Sequence, residues 1–318
     1  MRTDLVITGI LDDVHARMTA LREGTVADYI PQLATADPDA CGIALASLDG
    51  AVATAGDATA HTIQSVSKPF VYALALARRG LADVTRWVGA EPSGEAFNAI
   101  SLEAGTGRPA NPMINAGAIV VTGLVAADEI LPNLSAFAGR ALDVDEDTYA
   151  SELATGDRNR ALAYLMRAAG ALPGEPGPIL DAYFRQCSIR VTTRDLAVMA
   201  ATLANGGRNP VTGEVVVAEP IAVGVQAVMA SCGMYDAAGD WLLRVGLPAK
   251  SGVSGAVIAT SPGRCGVAAF GPRLDATGSS VRGTAGVRML SERFGLHLMH
   301  SPTTRESARL RLGGTMPS

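Results

Sequence analysis

Two pairs of short strand-like runs, separated by a long segment of helical pattern, constrain the fold of this chain more than any other feature. Residues 41–46 and 51–54 flank Asp49-Gly50, and residues 252–260 and 265–270 flank Ser261-Pro262-Gly263. Short apolar runs around such turn residues predict β-hairpins. Apolar residues at helical spacing precede the first pair, over 5–21, and follow the second, over 281–294. The pattern predicts an antiparallel sheet flanked by helices, with an inserted, mostly helical subdomain.

Length and composition agree with one large domain. The chain has 318 residues, of which 48% are hydrophobic and 18% charged, so it can bury a sizeable core. We expect a single catalytic domain over 1–300, with its sheet part at about 1–64 and 240–300 and its helical subdomain at about 65–239. Residues 301–318 are predicted to form a loose tail. Because the chain ends soon after the last predicted helix, we expect no appended regulatory domain.

The charge pattern argues against polyanionic partners. The net charge is −5 with a pI near 5.4, and no dense run of Lys or Arg offers a surface for nucleic acid or an anionic membrane. The N-terminus lacks an apolar signal core, and the longest apolar stretch, 116–127, is too short to span a bilayer. We therefore expect a cytoplasmic protein that binds a small neutral or zwitterionic molecule. The four scattered cysteines predict neither a disulfide framework nor a metal site.

Lysine is unusually rare. Lys and Arg together number 26, and since lysine occurs only at Lys68 and Lys250, the other 24 are arginines. An arginine side chain stays protonated in proteins, whereas burial can lower the pKa of a lysine until it accepts a proton. Two retained lysines therefore suggest chemistry that arginine cannot perform.

Both lysines stand in short motifs that suit nucleophilic catalysis. Ser65-Val66-Ser67-Lys68 fits S-x-x-K, and helical spacing would put Ser65 and Lys68 on one face. Pro69 favours a helix that begins close to Ser65, because proline is tolerated in a first turn. Lys250-Ser251-Gly252, followed by Val253, resembles the Lys-Thr/Ser-Gly element of penicillin-recognising serine enzymes. There a backbone N–H near Val253 can join that of Ser65 as an oxyanion hole.

Longer blocks carry a more specific resemblance. The chain resembles the serine-dependent glutaminase family over about residues 25–298, with the matching blocks in the same order as in the family. The matching blocks are 26–33, 63–68, 111–118, 151–152, 156–159, 183–188, 232–236, 274–275 and 280–283. Two departures are the run Ser254-Gly255-Ala256-Val257, where the family is richer in glycine, and Arg264, where lysine is common.

The resemblance implies a β-lactamase/transpeptidase-like fold and hydrolysis of the side-chain amide of L-glutamine to L-glutamate and ammonia. By position, Ser65 is the implied nucleophile, Lys68 its base and Tyr235 a proton relay. The implied substrate contacts are Tyr29, Asn115, Glu152, Asn159, Tyr183, Tyr235 and Val253, with Lys250, Ser251 and Gly252 in support. A glutamate side chain suits the α-ammonium of glutamine, and amide and hydroxyl donors suit its α-carboxylate. The family implies no metal or organic cofactor and a homo-oligomer, a dimer or tetramer.

Several alternatives stay open at this stage. A penicillin-binding protein, β-lactamase or esterase shares the fold, but the chain lacks the Ser-x-Asn or Tyr-x-Asn triplet usual there. The four histidines lie outside the matched blocks, which disfavours a Ser/His/Asp hydrolase. A G-x-G-x-x-A match at 105–110 is interrupted by proline, so it favours a nucleotide site only weakly. A catalytically silent amino-acid sensor is the main non-enzyme alternative. The preference for glutamine over asparagine, any activation by phosphate, and the first proton acceptor among Lys68, Tyr183 and Tyr235 stay undecided.

Overall fold

A five-stranded antiparallel sheet, with strands from both ends of the chain, lies at the centre of the molecule. The computed structural model describes residues 2–93 and 102–300, so the tail predicted at 301–318 lies outside the described residues. The strands are β1 Thr25–Val26, β2 Gly42–Ser47, β3 Val52–Gly56, β4 His61–Thr62, β5 Asp143–Val144, β6 Ile189–Val191, β7 Ala249–Ser251, β8 Ala256–Ser261, β9 Cys265–Phe270 and β10 Arg273–Leu274. The main sheet has the order β3-β2-β9-β8-β7, with every pair antiparallel.

The two predicted hairpins are confirmed, with one difference at the second. The run 252–260 was predicted as one strand, but β8 begins only at Ala256, and Lys250 and Ser251 belong to the separate strand β7. Between them the chain turns at Gly252–Gly255, where Gly255 has φ +99°. A Cβ at Gly255 would lie 2.3 Å from the carbonyl oxygen of Gly271, so both the backbone angle and the space require glycine there.

Helices cover both faces of the sheet and fill the segment between the hairpins. They are α1 Arg2–Thr19, α2 Pro31–Ala34, α3 Lys68–Arg79, α4 Leu81–Trp87, α5 Asn115–Gly123, α6 Ala127–Ala138, α7 Glu146–Thr155, α8 Asp157–Ala168, α9 Pro176–Cys187, α10 Thr193–Ala204, α11 Glu219–Cys232, α12 Ala238–Arg244 and α13 Val281–Phe294. The terminal helices α1 and α13 pack on one face and α10 on the other. The predicted sheet flanked by helices is therefore confirmed. The division into a sheet part and a helical subdomain stays a prediction, and α10, which lies in the helical segment, packs directly on the sheet.

The alternation along β2 explains how one sheet serves two hydrophobic cores. Ala44 and Ala46 belong to the core shared with α10 and the helical segment, whereas Ile43 and Leu45 belong to the core under α1 and α13. Successive side chains of a strand point to opposite faces, so both sets are buried. This two-sided burial accounts for the nearly continuous apolar runs in β2, β8 and β9.

Between the second hairpin and the C-terminus, α13 matches its predicted bounds. The Ser280 side chain caps the first turn by accepting a hydrogen bond from the backbone N–H of Gly283, and Gly295 ends the helix with φ +57°. A serine N-cap and a left-handed glycine after the last turn are both local signals. The helix could therefore be predicted from its own sequence.

Candidate active site

Ser65 and Lys68 lie where a short 3-10 helix, Gln64–Ser67, passes into α3. The helix predicted to begin close to Ser65 therefore starts with this 3-10 turn, and Pro69 stands in the first turn of α3. The Lys68 Nζ lies 3.0 Å from the Ser65 Oγ. The i to i+3 spacing brings the two side chains together, as the S-x-x-K pattern predicts.

A chain of polar contacts holds Lys68 toward Ser65. The Lys68 Nζ donates to the Asn115 Oδ1 at 2.6 Å, and the Asn115 Nδ2 donates to the Asn159 Oδ1 at 3.1 Å. Lys68 is 1% exposed, and its burial lowers the pKa of the ammonium group to about 8. The pKa of Lys68 thus lies much closer to neutral pH than that of an exposed lysine.

Ser65 opens onto a cavity of about 270 Å³, close to the smaller end of small-molecule sites. The cavity is lined by Tyr29, Gln64, Ser65, Asn115, Glu152, Thr155, Gly156, Arg158, Asn159, Tyr183, Cys187, Tyr235 and Val253. All seven predicted substrate contacts are thus brought together around Ser65. Two further cavities, of about 260 and 660 Å³, lie elsewhere, and Ser65 lines neither.

Glu152 supplies the negative charge of the cavity. It is 5% exposed, and its Oε1 accepts hydrogen bonds from the Tyr29 hydroxyl at 3.1 Å and from the Gln64 Nε2 at 3.2 Å. Burial raises the pKa of the Glu152 carboxyl, while these two neutral donors lower it. A buried carboxylate held by neutral donors is a good partner for a cationic group of a ligand.

Tyr183 and Cys187 form an uncharged wall on α9. Burial raises the pKa of the Tyr183 hydroxyl well above its usual value, and it raises the pKa of the Cys187 thiol to about 12. Both groups therefore stay protonated at neutral pH. A protonated Tyr183 hydroxyl can donate a hydrogen bond to a group bound in the cavity.

Lys250 lies behind Tyr235, outside the cavity lining. Its side chain is 0% exposed, and its Nζ donates to the backbone oxygen of Ser251 at 2.7 Å and sits 3.9 Å from the centre of the Tyr235 ring. The Tyr235 hydroxyl lies 3.5 Å from the same Ser251 oxygen. Burial lowers the pKa of Lys250 well below its usual value. Lys250 and Ser251 therefore support Tyr235 from the sheet, and Gly252 follows them in the turn after β7.

Sequence analysis missed five cavity residues: Gln64, Thr155, Gly156, Arg158 and Cys187. All five lie within or beside the blocks that carry the family resemblance, so proximity to those blocks was the available signal. Gln64 also has φ +49°, a conformation with no sequence signal in a non-glycine residue.

The absence of a catalytic histidine near Ser65 agrees with the sequence argument. His61, on β4, pairs with Val191 of β6 and stacks on Phe270, with ring centres 3.9 Å apart, and it does not line the cavity. Within residues 2–93 and 102–300, no group of three His, Cys, Asp or Glu side chains is arranged to hold a metal ion.

No single helix in the described ranges has the length and apolarity to cross a membrane. Two strongly bent helix pairs, α5 with α6 and Glu219–Cys232 with Tyr235–Arg244, meet the length and composition criteria when each pair is taken together.

Comparison with known proteins identifies the family. The sequence model of the family described as Glutaminase matches residues 24–299. The protein named Glutaminase of Clavibacter michiganensis subsp. michiganensis is 52% identical over 293 residues, which cover 90% of each chain. Glutaminase 2 of Bradyrhizobium diazoefficiens is also 52% identical, over 91% of this chain but 48% of its own length. This chain thus spans about half the length of that relative and of Glutaminase 1 from the same organism.

Solved structures give the same answer for the fold. The native form of Mglu superposes with a TM-score of 0.89 at 50% identity, covering 92% of this chain and 74% of the other. A probable glutaminase, ybaS, superposes with a TM-score of 0.90 at 37% identity, covering 92% and 98%. These likenesses confirm the predicted β-lactamase-like arrangement of helices and antiparallel sheet. Over nearly its whole length, this chain belongs to the glutaminase family.

Proposed function

We propose that this protein hydrolyses the side-chain amide of L-glutamine to L-glutamate and ammonia through an acyl-enzyme on Ser65. The observation that carries the proposal is the Ser65 Oγ, 3.0 Å from a Lys68 amine with a pKa of about 8, facing a cavity that also contains Glu152. Family membership supports the reaction class. A related protein, Mglu, has also been solved in a glutamate form.

In the proposed first half-reaction, neutral Lys68 takes the proton from the Ser65 hydroxyl while the Ser65 Oγ attacks the amide carbon. The carbonyl oxygen becomes an oxyanion, for which the backbone N–H groups of Ser65 and Val253 are the proposed donors. Lys68, aided by Tyr235, then returns a proton to the amide nitrogen. The C–N bond breaks, ammonia leaves, and a glutamyl ester of Ser65 is left.

In the second half-reaction, water replaces ammonia as the nucleophile. Lys68 takes a proton from the water, the resulting hydroxide attacks the ester carbon, and the Ser65 Oγ leaves with the proton that Lys68 held. Glutamate is released, and Ser65 and Lys68 return to their starting states. The sequence of steps requires no oxidant, reductant or cofactor.

Substrate recognition is proposed to depend on charge separation across the cavity. Glu152 would pair with the α-ammonium of glutamine, while Asn159, Tyr183 and the Asn115 amide would donate to its α-carboxylate. Arg158 lines the same cavity and would add a cationic donor for the carboxylate, whereas Tyr29 would cover the ammonium side. This arrangement distinguishes an amino acid from a simple amide, because both charged ends must find partners.

The test is release of ammonia and glutamate from L-glutamine by purified wild-type protein and by the Ser65→Ala variant. We expect the wild type to turn over glutamine and Ser65→Ala to lose about a thousandfold or more of kcat, since it removes the nucleophile. L-asparagine and a chromogenic cephalosporin are run in parallel. Glutamine binding without turnover would indicate a sensor, and acylation by the cephalosporin alone would indicate a penicillin-type enzyme. Either result would exclude the proposed reaction.

We further propose that the enzyme works in the cytoplasm as a homo-oligomer, following the family resemblance. Light scattering during size-exclusion chromatography measures the mass of the particle directly. A mass equal to one chain at micromolar concentration would contradict the oligomer.

A further inference from the structure

Gln64, the residue before the proposed nucleophile, has a strained backbone. Its φ is +49°, and Tyr235 is the only other non-glycine residue with positive φ in the described ranges. Such a conformation is unfavourable for a residue with a side chain and persists only where the surroundings enforce it. Because Gln64 is 3% exposed, its constraint must come from neighbouring protein groups.

Two buried side chains outside the cavity provide that constraint. The Ser67 hydroxyl donates to the backbone oxygen of Gln64 at 2.7 Å and accepts from the Gln186 Nε2 at 2.9 Å. The Gln186 Oε1 in turn lies 3.0 Å from the Thr122 hydroxyl. Ser67 and Gln186 are 0% and 1% exposed, and neither lines the cavity around Ser65.

The number of protons on Ser67 determines which group donates in each of its hydrogen bonds. Ser67 has one hydroxyl proton, which it donates to Gln64, so only an N–H of Gln186 can satisfy the remaining capacity of its oxygen. The opposite orientation of the Gln186 amide would leave two acceptor oxygens competing for that one proton. The chain therefore links α9 and α5 to the turn that carries Ser65, and it can be broken at either of two points.

We call Ser67 and Gln186 the clamp. The clamp contacts the backbone of Gln64, and through it fixes where the Gln64 side chain begins. The Gln64 Nε2 donates to the Glu152 Oε1 at 3.2 Å, while the Gln64 Oε1 lies 3.3 Å from the Tyr29 hydroxyl, whose proton is shared between Gln64 and Glu152. Gln64 thus ties Tyr29 and Glu152 together on the ammonium side of the cavity. By contrast, the Ser65 Oγ is held by Lys68, and Lys68 by Asn115, through separate contacts.

We propose that Ser67 and Gln186 are positioning residues that set the affinity for the substrate α-ammonium by clamping Gln64 in its strained conformation. The inference rests on the proposed glutaminase function and assigns a role to two residues that do not touch the substrate. Loss of the clamp lets Gln64 relax toward ordinary backbone angles. Its side chain then leaves Glu152, while the Ser65, Lys68 and Asn115 contacts remain. The clamp therefore acts on substrate binding more than on the chemical step.

The experiment compares Ser67→Ala and Gln186→Met with two matched controls, Ser188→Ala and Gln226→Met. Ser188 is 0% exposed and donates to the Phe184 oxygen at 2.9 Å; Gln226 is 7% exposed and donates to the Leu203 oxygen at 3.0 Å. Each control removes a buried hydrogen bond of the same kind away from Gln64. We expect both clamp variants to raise KM for glutamine about tenfold with kcat within about threefold, and both controls to leave KM unchanged.

A double-mutant cycle then tests the route of the effect. If the clamp acts through Glu152, Ser67→Ala should change kcat/KM far less in a Glu152→Gln background than in the wild type. Equal losses in both backgrounds, a fall in kcat without a rise in KM, or the same KM change in the controls would overturn the inference. A wild type that does not hydrolyse glutamine would instead overturn the proposed function. Because two different variants break the clamp, misfolding of one leaves the other to decide.

Discussion

The proposed reaction requires that Lys68 be neutral when Ser65 attacks. Arginine is the common cation of this chain, yet the position beside Ser65 holds one of its two lysines. Burial brings the Lys68 pKa to about 8, so deprotonation falls within the range where the enzyme can be assayed. An arginine at this position would keep its charge over the same range.

If Lys68 is the base, the activity must increase with pH up to the pKa of Lys68. We expect kcat/KM for glutamine to rise about tenfold per pH unit well below pH 8 and to level off above it, because protonated Lys68 cannot accept a proton. Lys68→Arg should abolish turnover at every pH, with the fold checked by circular dichroism. Initial rates between pH 6 and 9.5 measure the profile. A flat profile across that range would exclude Lys68 as the group that limits the acid side.

At the scale of single residues, the sequence predicted which side chains form the site better than it predicted backbone angles. Ser65, Lys68, Asn115 and Glu152 were predicted because they occur in order within long matching blocks. Ser65, Asn115 and Glu152 line one cavity, and Lys68 contacts Ser65 and Asn115. The left-handed backbone of Gln64 was not predictable. The contact that we propose to enforce it joins Ser67 to Gln186, which lie 119 positions apart.

At the scale of helices and strands, α10 packs very closely against β9. A Cβ added to Gly266 on β9 would lie 2.1 Å from the backbone nitrogen of Ala201 and 2.4 Å from the backbone oxygen of Ala197. The helix backbone thus rests directly on the strand, and the missing side chain makes that approach possible. Displacing α10 would disturb the sheet on which β7 and the turn before Val253 depend.

Gly266→Ala should therefore destabilise the protein by about 3 kcal/mol or more, because neither backbone can move without breaking its own hydrogen bonds. The matched control is Gly224→Ala on α11, where an added Cβ meets nothing within 4 Å. That variant should be neutral or stabilising by about 0.5–1 kcal/mol. Urea unfolding measures both. Similar unfolding midpoints for the two variants would show that α10 does not rest on Gly266 as described.

Elements with local signals were predictable, and those that depend on distant partners were not. The β2–β3 and β8–β9 hairpins followed from their turn residues, and α13 from Ser280 and Gly295. Strand β7 was not predicted, because three residues give no strand periodicity of their own, and the turn at 252–255 was wrongly included in the strand that became β8. The two-residue strand β1 pairs with β10 across most of the chain, and no local pattern marks such a pairing.

At the scale of the whole molecule, the N-terminal and C-terminal parts form one structure. β2 pairs with β9 over six residues, from Gly42 with Phe270 to Ser47 with Cys265. The helices α1 and α13 then share the core on the outer face of the sheet. The order of strands and helices along the sequence indicated that the two ends pair. It did not indicate the buried polar contacts that also join them.

Arg282, on the first turn of α13, makes several of those polar contacts. Its side chain is 1% exposed, and its guanidinium donates to the backbone oxygens of Leu21, Asp39 and Ala40 at 2.9, 2.7 and 3.2 Å. It also lies 3.2 Å from the Asp39 carboxylate. The guanidinium thereby donates hydrogen bonds to backbone carbonyl groups just after α1 and just before β2.

Arg282→Met should lower the free energy of unfolding by about 3 kcal/mol or more, because it leaves the backbone carbonyl groups of Leu21, Asp39 and Ala40 without the guanidinium donor. The matched control is Arg288→Met on the same helix, where the arginine is 51% exposed and lies 3.8 Å from Glu292. Removing that surface pair should cost less than about 1 kcal/mol. Since Arg282 does not line the cavity around Ser65, the folded variant should keep the wild-type KM for glutamine well below its unfolding temperature. Thermal unfolding and glutamine kinetics measure the two properties separately. Equal stability losses at positions 282 and 288 would mean that sheet pairing and the shared hydrophobic core join the two ends of the chain without the contribution that we assign to Arg282.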